Sequence, residues 1–188
     1  MLPRAPGSVN NDRVSGGPGC CAWPVTLKVV GCAVQRIDVY TDGGCHGNPG
    51  PGAWAYVVRA VAGSEATFRE DAGGDPQTTN NRMELEAVIR ALRAVAEHFG
   101  TQGDVTVHTD SQYVRNGITS WIATWMRNGW MTSARKPVKN QDRWIRLHEL
   151  AVLVSPRWEW VKGHSGDELN ERCDSLVQAQ IARLDRRL

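Results

Sequence analysis

The chain has 188 residues, 41% of them hydrophobic and 22% charged, with a formal net charge of +2. That length fits one domain with a core of its own, and the near-balanced charge excludes bulk electrostatics as a guide to partners, so an anionic ligand must be read from local patches. No apolar run approaches the ~18 residues of a spanning helix, and the N-terminus lacks the apolar stretch of a secretory signal, so a cytoplasmic protein with no membrane partner is expected.

Residues 1–24 hold eight Gly or Pro and few large apolar side chains. Such a composition buries little, and residues 1–34 are read as a disordered extension, although "VTLKVVGCAV" (25–34) would also suit a strand or an ordered lead-in. "RIDVYTD" (36–42) alternates Ile37, Val39 and Thr41 against Asp38, Tyr40 and Asp42, which is strand periodicity. "AWAYVVRAV" (53–61) and "ATFREDAG" (66–73) also read as strands, and the short turns between the three runs predict an antiparallel meander. "NNRMELEAVIRALRAVAEHFG" then places Leu85, Val88, Ile89, Leu92, Val95 and Phe99 on one face. This is a helix, with Thr79 or Asn80 to cap it and Gly100 to end it. "DVTVHTDS" (104–111) is a strand, followed by helical stretches around 111–126 and 141–153, a last strand and turn in "RWEWVKGH" (157–164), and a final helix striped by Leu169, Cys173, Leu176, Val177 and Ile181. Hairpins followed by alternation predict an α/β, α+β-like mixed sheet with helices on its faces.

Five cysteines, Cys20, Cys21, Cys32, Cys45 and Cys173, include an adjacent pair and no C-x-x-C spacing. This argues against a disulfide framework or structural zinc and suits a reducing compartment.

Four acids stand at telling places. Asp42 ends the first strand beside a Gly-Pro loop, Asp110 ends the fourth strand, Glu84 borders the apolar face of the first long helix, and Asp174 lies at the edge of the last stripe. Taken singly, each reads as a cap, turn or surface acid. Taken together, they suit a hard divalent cation, which wants several oxygen ligands and offsets their mutual repulsion. His164, in the loop "VKGHSGDE", stands where it could move a proton. His46, His98, His108 and His148 are read as surface residues.

The blocks "YTDGGCHGNPGPGAWAYVV", "TTNNRMELEAVIRAL", "TDSQYVRNGITSWI", "GWMTSARKPVKNQDRW" and "WEWVKGHSGDELNERCD" resemble bacterial type 1 ribonuclease H in content and order, from about residue 36 to about residue 182. The resemblance implies a ribonuclease H-like fold: a five-stranded mixed sheet, three antiparallel strands then two parallel, flanked by helices, with 35–188 as the catalytic domain. It implies an endonuclease that hydrolyses the RNA strand of RNA–DNA hybrids, leaves 5′-phosphate and 3′-hydroxyl ends, and uses two Mg²⁺ ions, with Mn²⁺ able to stand in. Asp42, Glu84, Asp110 and Asp174 resemble the metal-binding catalytic set, with Asp42 bridging both ions, and His164 resembles a mobile loop histidine that acts late. Asn48, Asn80, Asn81 and Gln112 resemble residues that contact the nucleic acid, and Cys45 stands at a position close to the substrate. Gly44 departs from the family's frequent Ser, and His46 from a smaller or apolar residue. The first 34 residues match no part of the short bacterial form.

"SWIATWMRNGWMTSARKPVKN" (120–140) holds Arg127, Arg135, Lys136 and Lys139 with no acid, interleaved with Trp121, Trp125 and Trp130. Cations neutralise phosphates and indoles stack on sugars or bases, a workable grip on the DNA strand. Trp121 and Trp125, four apart, can equally pack a helix, and some of these indoles are expected in the core. A monomer without an obligate protein partner is expected. The alternative is a non-catalytic hybrid-binding module on the same fold. Its mark would be the loss of one of the four acids, and none is lost.

Overall fold

The computed structural model describes residues 36–100, 103–163 and 165–186. Five strands, β1 (Arg36–Cys45), β2 (Gly50–Ala62), β3 (Glu65–Thr78), β4 (Asp104–Thr109) and β5 (Arg157–Trp160), form one sheet in the order β3-β2-β1-β4-β5. β1 pairs antiparallel with β2, and β2 with β3, whereas β4 runs parallel to β1, and β5 to β4. The helices are α1 (Asn80–His98), α2 (Gln112–Asn116), α3 (Ile122–Arg127), α4 (Gln141–Val154) and α5 (Glu168–Asp185), with a π-helical turn, Gly117–Trp121, joining α2 to α3. The mixed sheet, its meander and its helices match the sequence-based expectation. The expected N-terminal extension, the 25–34 strand, Cys20, Cys21, Cys32 and His164 lie outside the described residues.

Strand parity sorts the two faces. Trp54, Tyr56 and Val58 on β2, with Ile37, Val39, Val105 and Val107, join the core under α1 and α4. Ala53 and Ala55 meet Val177 and Ile181 of α5, and Tyr40 and Val57 meet Cys173. Successive strand residues point to opposite faces, so β2 feeds both cores. Leu85, Val88, Leu92 and Val95 are wholly buried, as the stripe predicted, together with Trp144 and Leu147 of α4. Each such burial contributes on the order of 2 kcal/mol. Gly100, at φ 79°, ends α1 in the left-handed conformation that favours glycine.

Two expectations need correction. Asp42, read as ending the first strand, lies inside β1, because Gly43, Gly44 and Cys45 carry the ladder on against Trp54, Ala53 and Gly52; helices cover both sides of this central strand, and Asp38 and Tyr40 are buried along with Ile37 and Val39. His108, expected at the surface, is 8% exposed. Its ring stacks on Tyr40 at 4.5 Å and lies 3.5 Å from Asp38 Oδ1 and 3.4 Å from Glu159 Oε2. Asp38 also accepts hydrogen bonds from Arg36 and from Arg59. Burial would raise its carboxyl, but the hydrogen bonds from Arg59 and Arg36 win and hold it below the usual aspartate value.

Candidate active site

The parallel pairing of β1 and β4 sets Thr41 opposite Thr109, so Asp42, still on β1, and Asp110, just past the end of β4, follow as the next residues. Asp110 stands at a strand-to-helix junction fixed on several sides. Ser111 caps α2 by accepting from the Val114 amide at 3.4 Å, and its own amide donates to Thr109 Oγ1 at 3.2 Å. The Trp160 indole donates to the Asp110 carbonyl at 3.1 Å.

Glu84 arrives from α1. Gly43, directly after Asp42, makes this approach feasible. A Cβ there would collide with the Met83 carbonyl carbon and the Glu84 amide, and lie 2.7 Å from Glu84 Cα. Without a side chain at that position, the first turns of α1 can rest on the strand. As a result, one carboxylate oxygen each from Asp42, Glu84 and Asp110 lies within 4.8 Å of the other two. Glu84 is 7% exposed, and its Oε2 has no hydrogen-bond partner among the described residues. Burial, then the charges of Asp42 and Asp110, push its carboxyl well above the usual glutamate value, against a stabilising hydrogen bond from the Asn80 side chain. A buried acceptor left open in a cluster of like charges fits a divalent cation: hard oxygen donors are present, and such an ion would satisfy the orphaned oxygen and cancel the repulsion.

Among the described residues Asp174 is outside this converging set. It is half-buried on α5, where the Gln178 amide donates to its Oδ1 at 3.4 Å. Its neighbour Cys173 is wholly buried, and burial, followed by the charge of Asp42, pushes that thiol up. His164 is outside the described residues, while the adjacent Gly163 lies against the Asp110 carboxylate.

The candidate nucleic-acid residues divide into two groups. Asn48 Oδ1 accepts from the Asn80 amide at 3.3 Å, so the Gly-Pro loop docks on the N-terminus of α1 and supplies a cap that Thr79 does not. Cys45 Sγ turns toward the carbonyls of Gly47, Gly50 and Thr78, and His46 Nδ1 lies 3.1 Å from Asp185. Asn81 and Gln112 are exposed beside the acids' own elements.

The second group is the basic stretch. Its loop closes through the Val138 amide on the Trp130 carbonyl and the Thr132 amide on the Lys136 carbonyl, with Arg135 at φ 54° at the tip. Arg127, Arg135, Lys136 and Lys139 are exposed and form no ion pair among the described residues. The Tyr113 hydroxyl roots this loop: it accepts from Trp144 Nε1 at 3.1 Å and Asn140 Nδ2 at 3.3 Å and donates to the Lys139 carbonyl at 3.5 Å. Some of the indoles do lie against the core: Trp125 packs at a tilt on Trp121 and edge-on to Trp144, and Trp130 packs on the core, whereas Trp121 stays 38% exposed. An apolar cleft of about 320 Å³ opens between Tyr113 and Trp125 and the Lys136–Lys139 strand of the loop.

The RNase H family model matches residues 34–182. The chain belongs to the ribonuclease H family. It is 51% identical over 150 residues to a Ribonuclease H of Paracoccus denitrificans, covering 79% of this chain and 94% of that one. Ribonuclease H of Citrobacter koseri is 51% identical over 146 residues, with 78% and 89% covered. These relatives bear out the bacterial type 1 resemblance. Among solved structures, this ribonuclease H is similar to LC9-RNase H1, described as a type 1 RNase H with the type 2 active-site motif, at TM-score 0.71 and 31% identity, covering 80% of this chain and 74% of that one. LC11-RNase H1, solved in complex with an RNA/DNA hybrid, is similar at TM-score 0.58 and 26% identity, with 78% and 97% covered.

Sequence reasoning singled out none of Gly43, Gly163 and Trp160, which lie against Glu84 and Asp110. A glycine next to a candidate ligand was the only available signal, and for Trp160 there was none.

Proposed function

We propose that this ribonuclease H cleaves the RNA strand of RNA–DNA hybrids by metal-assisted phosphodiester hydrolysis, with Asp42, Glu84 and Asp110 holding the metal and Asp174 completing the set. The carrying observation is the convergence of three carboxylates within 4.8 Å around the orphaned oxygen of buried Glu84. Two Mg²⁺ ions, with Mn²⁺ able to stand in, would supply charge neutralisation and Lewis-acid activation of water and of the leaving oxygen.

The chain's own residues do the rest. Asp42, on the central strand against which both β4 and the first turns of α1 lie, is the natural shared ligand. Glu84 presents an oxygen from a dry wall, where electrostatic interactions are stronger than in water. His164 would protonate the leaving 3′-oxygen, giving 5′-phosphate and 3′-hydroxyl products. Asn48, Asn80, Asn81 and Gln112 offer amides that both donate and accept, suited to the 2′-hydroxyl that separates RNA from DNA, and Cys45 lies under the same loop. For Asn48 and Asn80 this contact would combine with their capping bond. Arg127, Arg135, Lys136 and Lys139, with Trp121, Trp125 and Trp130, form the surface for the DNA strand. The hybrid-bound structure of LC11-RNase H1 supports this substrate class.

We assign residues 35–188 as the catalytic domain, and the family match beginning at residue 34 supports that boundary. We place it in the cytoplasm as a monomer. No helix among the described residues is long and apolar enough to cross a membrane.

Labelled RNA–DNA hybrid, RNA duplex and DNA duplex, each incubated with and without Mg²⁺, test the reading. Only the hybrid should be cut, on its RNA strand and with metal, and Asp42→Asn should abolish the cut. Equal cutting of all three duplexes, or cutting without metal, would overturn the proposal.

A further inference from the structure

Gly163 sits in the turn that leaves β5 for α5. A Cβ built there would lie 2.7 Å from Asp110 Oδ2, 3.6 Å from its Cγ and 3.7 Å from its Cβ. Its three nearest neighbours beyond the adjacent residues therefore belong to a single side chain. The backbone makes no demand of its own, because among the described residues the glycines with positive φ are Gly47, Gly63, Gly100, Gly129 and Gly166, and Gly163 is not one of them. Gly43 differs, since a Cβ at that position would strike the helix backbone.

We infer that Gly163 is a positioning residue for Asp110: its missing side chain leaves the space that the Asp110 carboxylate needs to face Asp42 and Glu84. The same segment holds the other end of the residue, through the indole of Trp160 on the Asp110 carbonyl. The segment from Trp160 to Gly163 thus holds the Asp110 backbone and leaves room beside its carboxylate. A methyl at residue 163 has two ways to be accommodated. The glycine turn can move outward, or the carboxylate can rotate. The backbone of Asp110 is fixed by the Trp160 bond and by the Ser111 cap, so within Asp110 the displacement falls on the carboxylate. Rotation leaves the fold intact and takes one ligand oxygen out of the cluster. This inference rests on the metal-site reading above, and the test separates the two.

The experiment compares wild type, G163A, D110A and G163A/D110A. In metal-free protein, the side-chain carboxyl carbon resonance of Asp110 should move in G163A, while the melting temperature stays at the wild-type value. Mn²⁺ titrated into the free protein and followed by electron paramagnetic resonance should bind roughly 10-fold more weakly in G163A, the size of effect expected when a ligand's support is disturbed. With hybrid substrate, kcat should fall by on the order of 100-fold, as for a misplacement of about 1 Å, while KM changes little. In the D110A background, adding G163A should alter neither Mn²⁺ binding nor melting. An unmoved Asp110 resonance would overturn the inference. So would unchanged Mn²⁺ binding, or an equal loss of melting temperature on adding G163A to either background, which would mark a purely structural glycine. If wild type bound no Mn²⁺, the metal-site reading would fail instead, and the Asp110 resonance would still decide the role of Gly163.

Discussion

Glu84→Gln should make the metal-free protein more stable at neutral pH while removing its activity. Glu84, Asp42 and Asp110 each bring an oxygen within 4.8 Å of the others. At that separation two unit charges repel by about 0.9 kcal/mol in water and about 3.5 kcal/mol at an effective dielectric near 20. The substitution removes two of the three repulsive pairs. Wild type already relieves part of this strain, because burial first, and Asp42 and Asp110 after it, favour the protonated form of Glu84. The net gain is therefore nearer the lower bound, about 1–3 kcal/mol, which corresponds to roughly 2–12 °C in a protein of this size. The sign with pH follows from the raised folded-state pKa. The stability Glu84 contributes is fully present below its unfolded value of about 4.3 and is lost as pH rises through the folded value. The advantage of Gln should thus be small near pH 4 and grow toward pH 8. Thermal melts of both proteins in chelator across that range read it directly. Mg²⁺ should then raise the melting temperature of wild type by mass action and that of E84Q much less. An advantage of equal size at both pH values, or a less stable E84Q at neutral pH, would refute the account of the cluster as a repulsive set awaiting a cation.

Gly43→Ala should behave unlike Gly163→Ala: its methyl would meet α1 backbone, so a cost of about 1–3 kcal/mol is expected, seen as a lowered melting temperature with or without metal. Neutralising Arg135, Lys136 and Lys139 together should weaken hybrid binding and flatten its salt dependence, by about 0.9 in log–log slope for each phosphate that is no longer neutralised. An unchanged slope removes the loop from the interface. Asp38→Ala strands the positive charge of Arg36 and Arg59 around a wholly buried position, and should cost about 3 kcal/mol, the low end for breaking a buried pair, because both arginines reach solvent. Asp38's depressed carboxyl contributes stability above the usual value of about 3.9, lost as pH falls through its folded value. Denaturant melts of wild type and D38A should therefore converge at acid pH and separate toward neutrality.

What could be read from the sequence tracked how local each cause was. The α1 stripe, the strand alternation of β1 and the Gly100 stop depend on neighbours a few residues away, and all appear as expected. The place of Asp110 just past β4 was equally legible, whereas Asp42, read as ending its strand, lies inside a β1 that runs on to Cys45; the approach of the two acids needed only that β1 and β4 pair in parallel. Periodicity alone could not tell how many faces of β1 are covered, and Asp38 and Tyr40 are buried along with Ile37 and Val39. His108 was misjudged for a related reason: its partner Asp38 lies 70 residues away, and no local pattern marks a histidine whose charge partner arrives from another strand. Asn48 illustrates the same limit, since an asparagine in a glycine-rich loop reads as a turn residue until α1 is seen to begin beside it.

The two tasks of the domain rest on different parts of the chain, and their rigidity differs accordingly. The acids stand on β1, β4 and α1, inside the two packed faces of the sheet, where close approach at Gly43 leaves α1 little room to slide. The basic stretch hangs from α3 and α4 by a hairpin-like loop rooted at Tyr113 and Trp144. A ligand cluster must hold its oxygens to within a fraction of an ångström, so it belongs on strands and a helix. A phosphate grip works through charge, which falls off slowly with distance, so a loop suffices. This division explains how a buried carboxylate oxygen, Glu84 Oε2, can stay without a partner among the described residues. A flexible Glu84 could turn away to find a partner, but on a clamped helix its oxygen stays open, and the repulsion held there is the driving force for taking up a divalent cation.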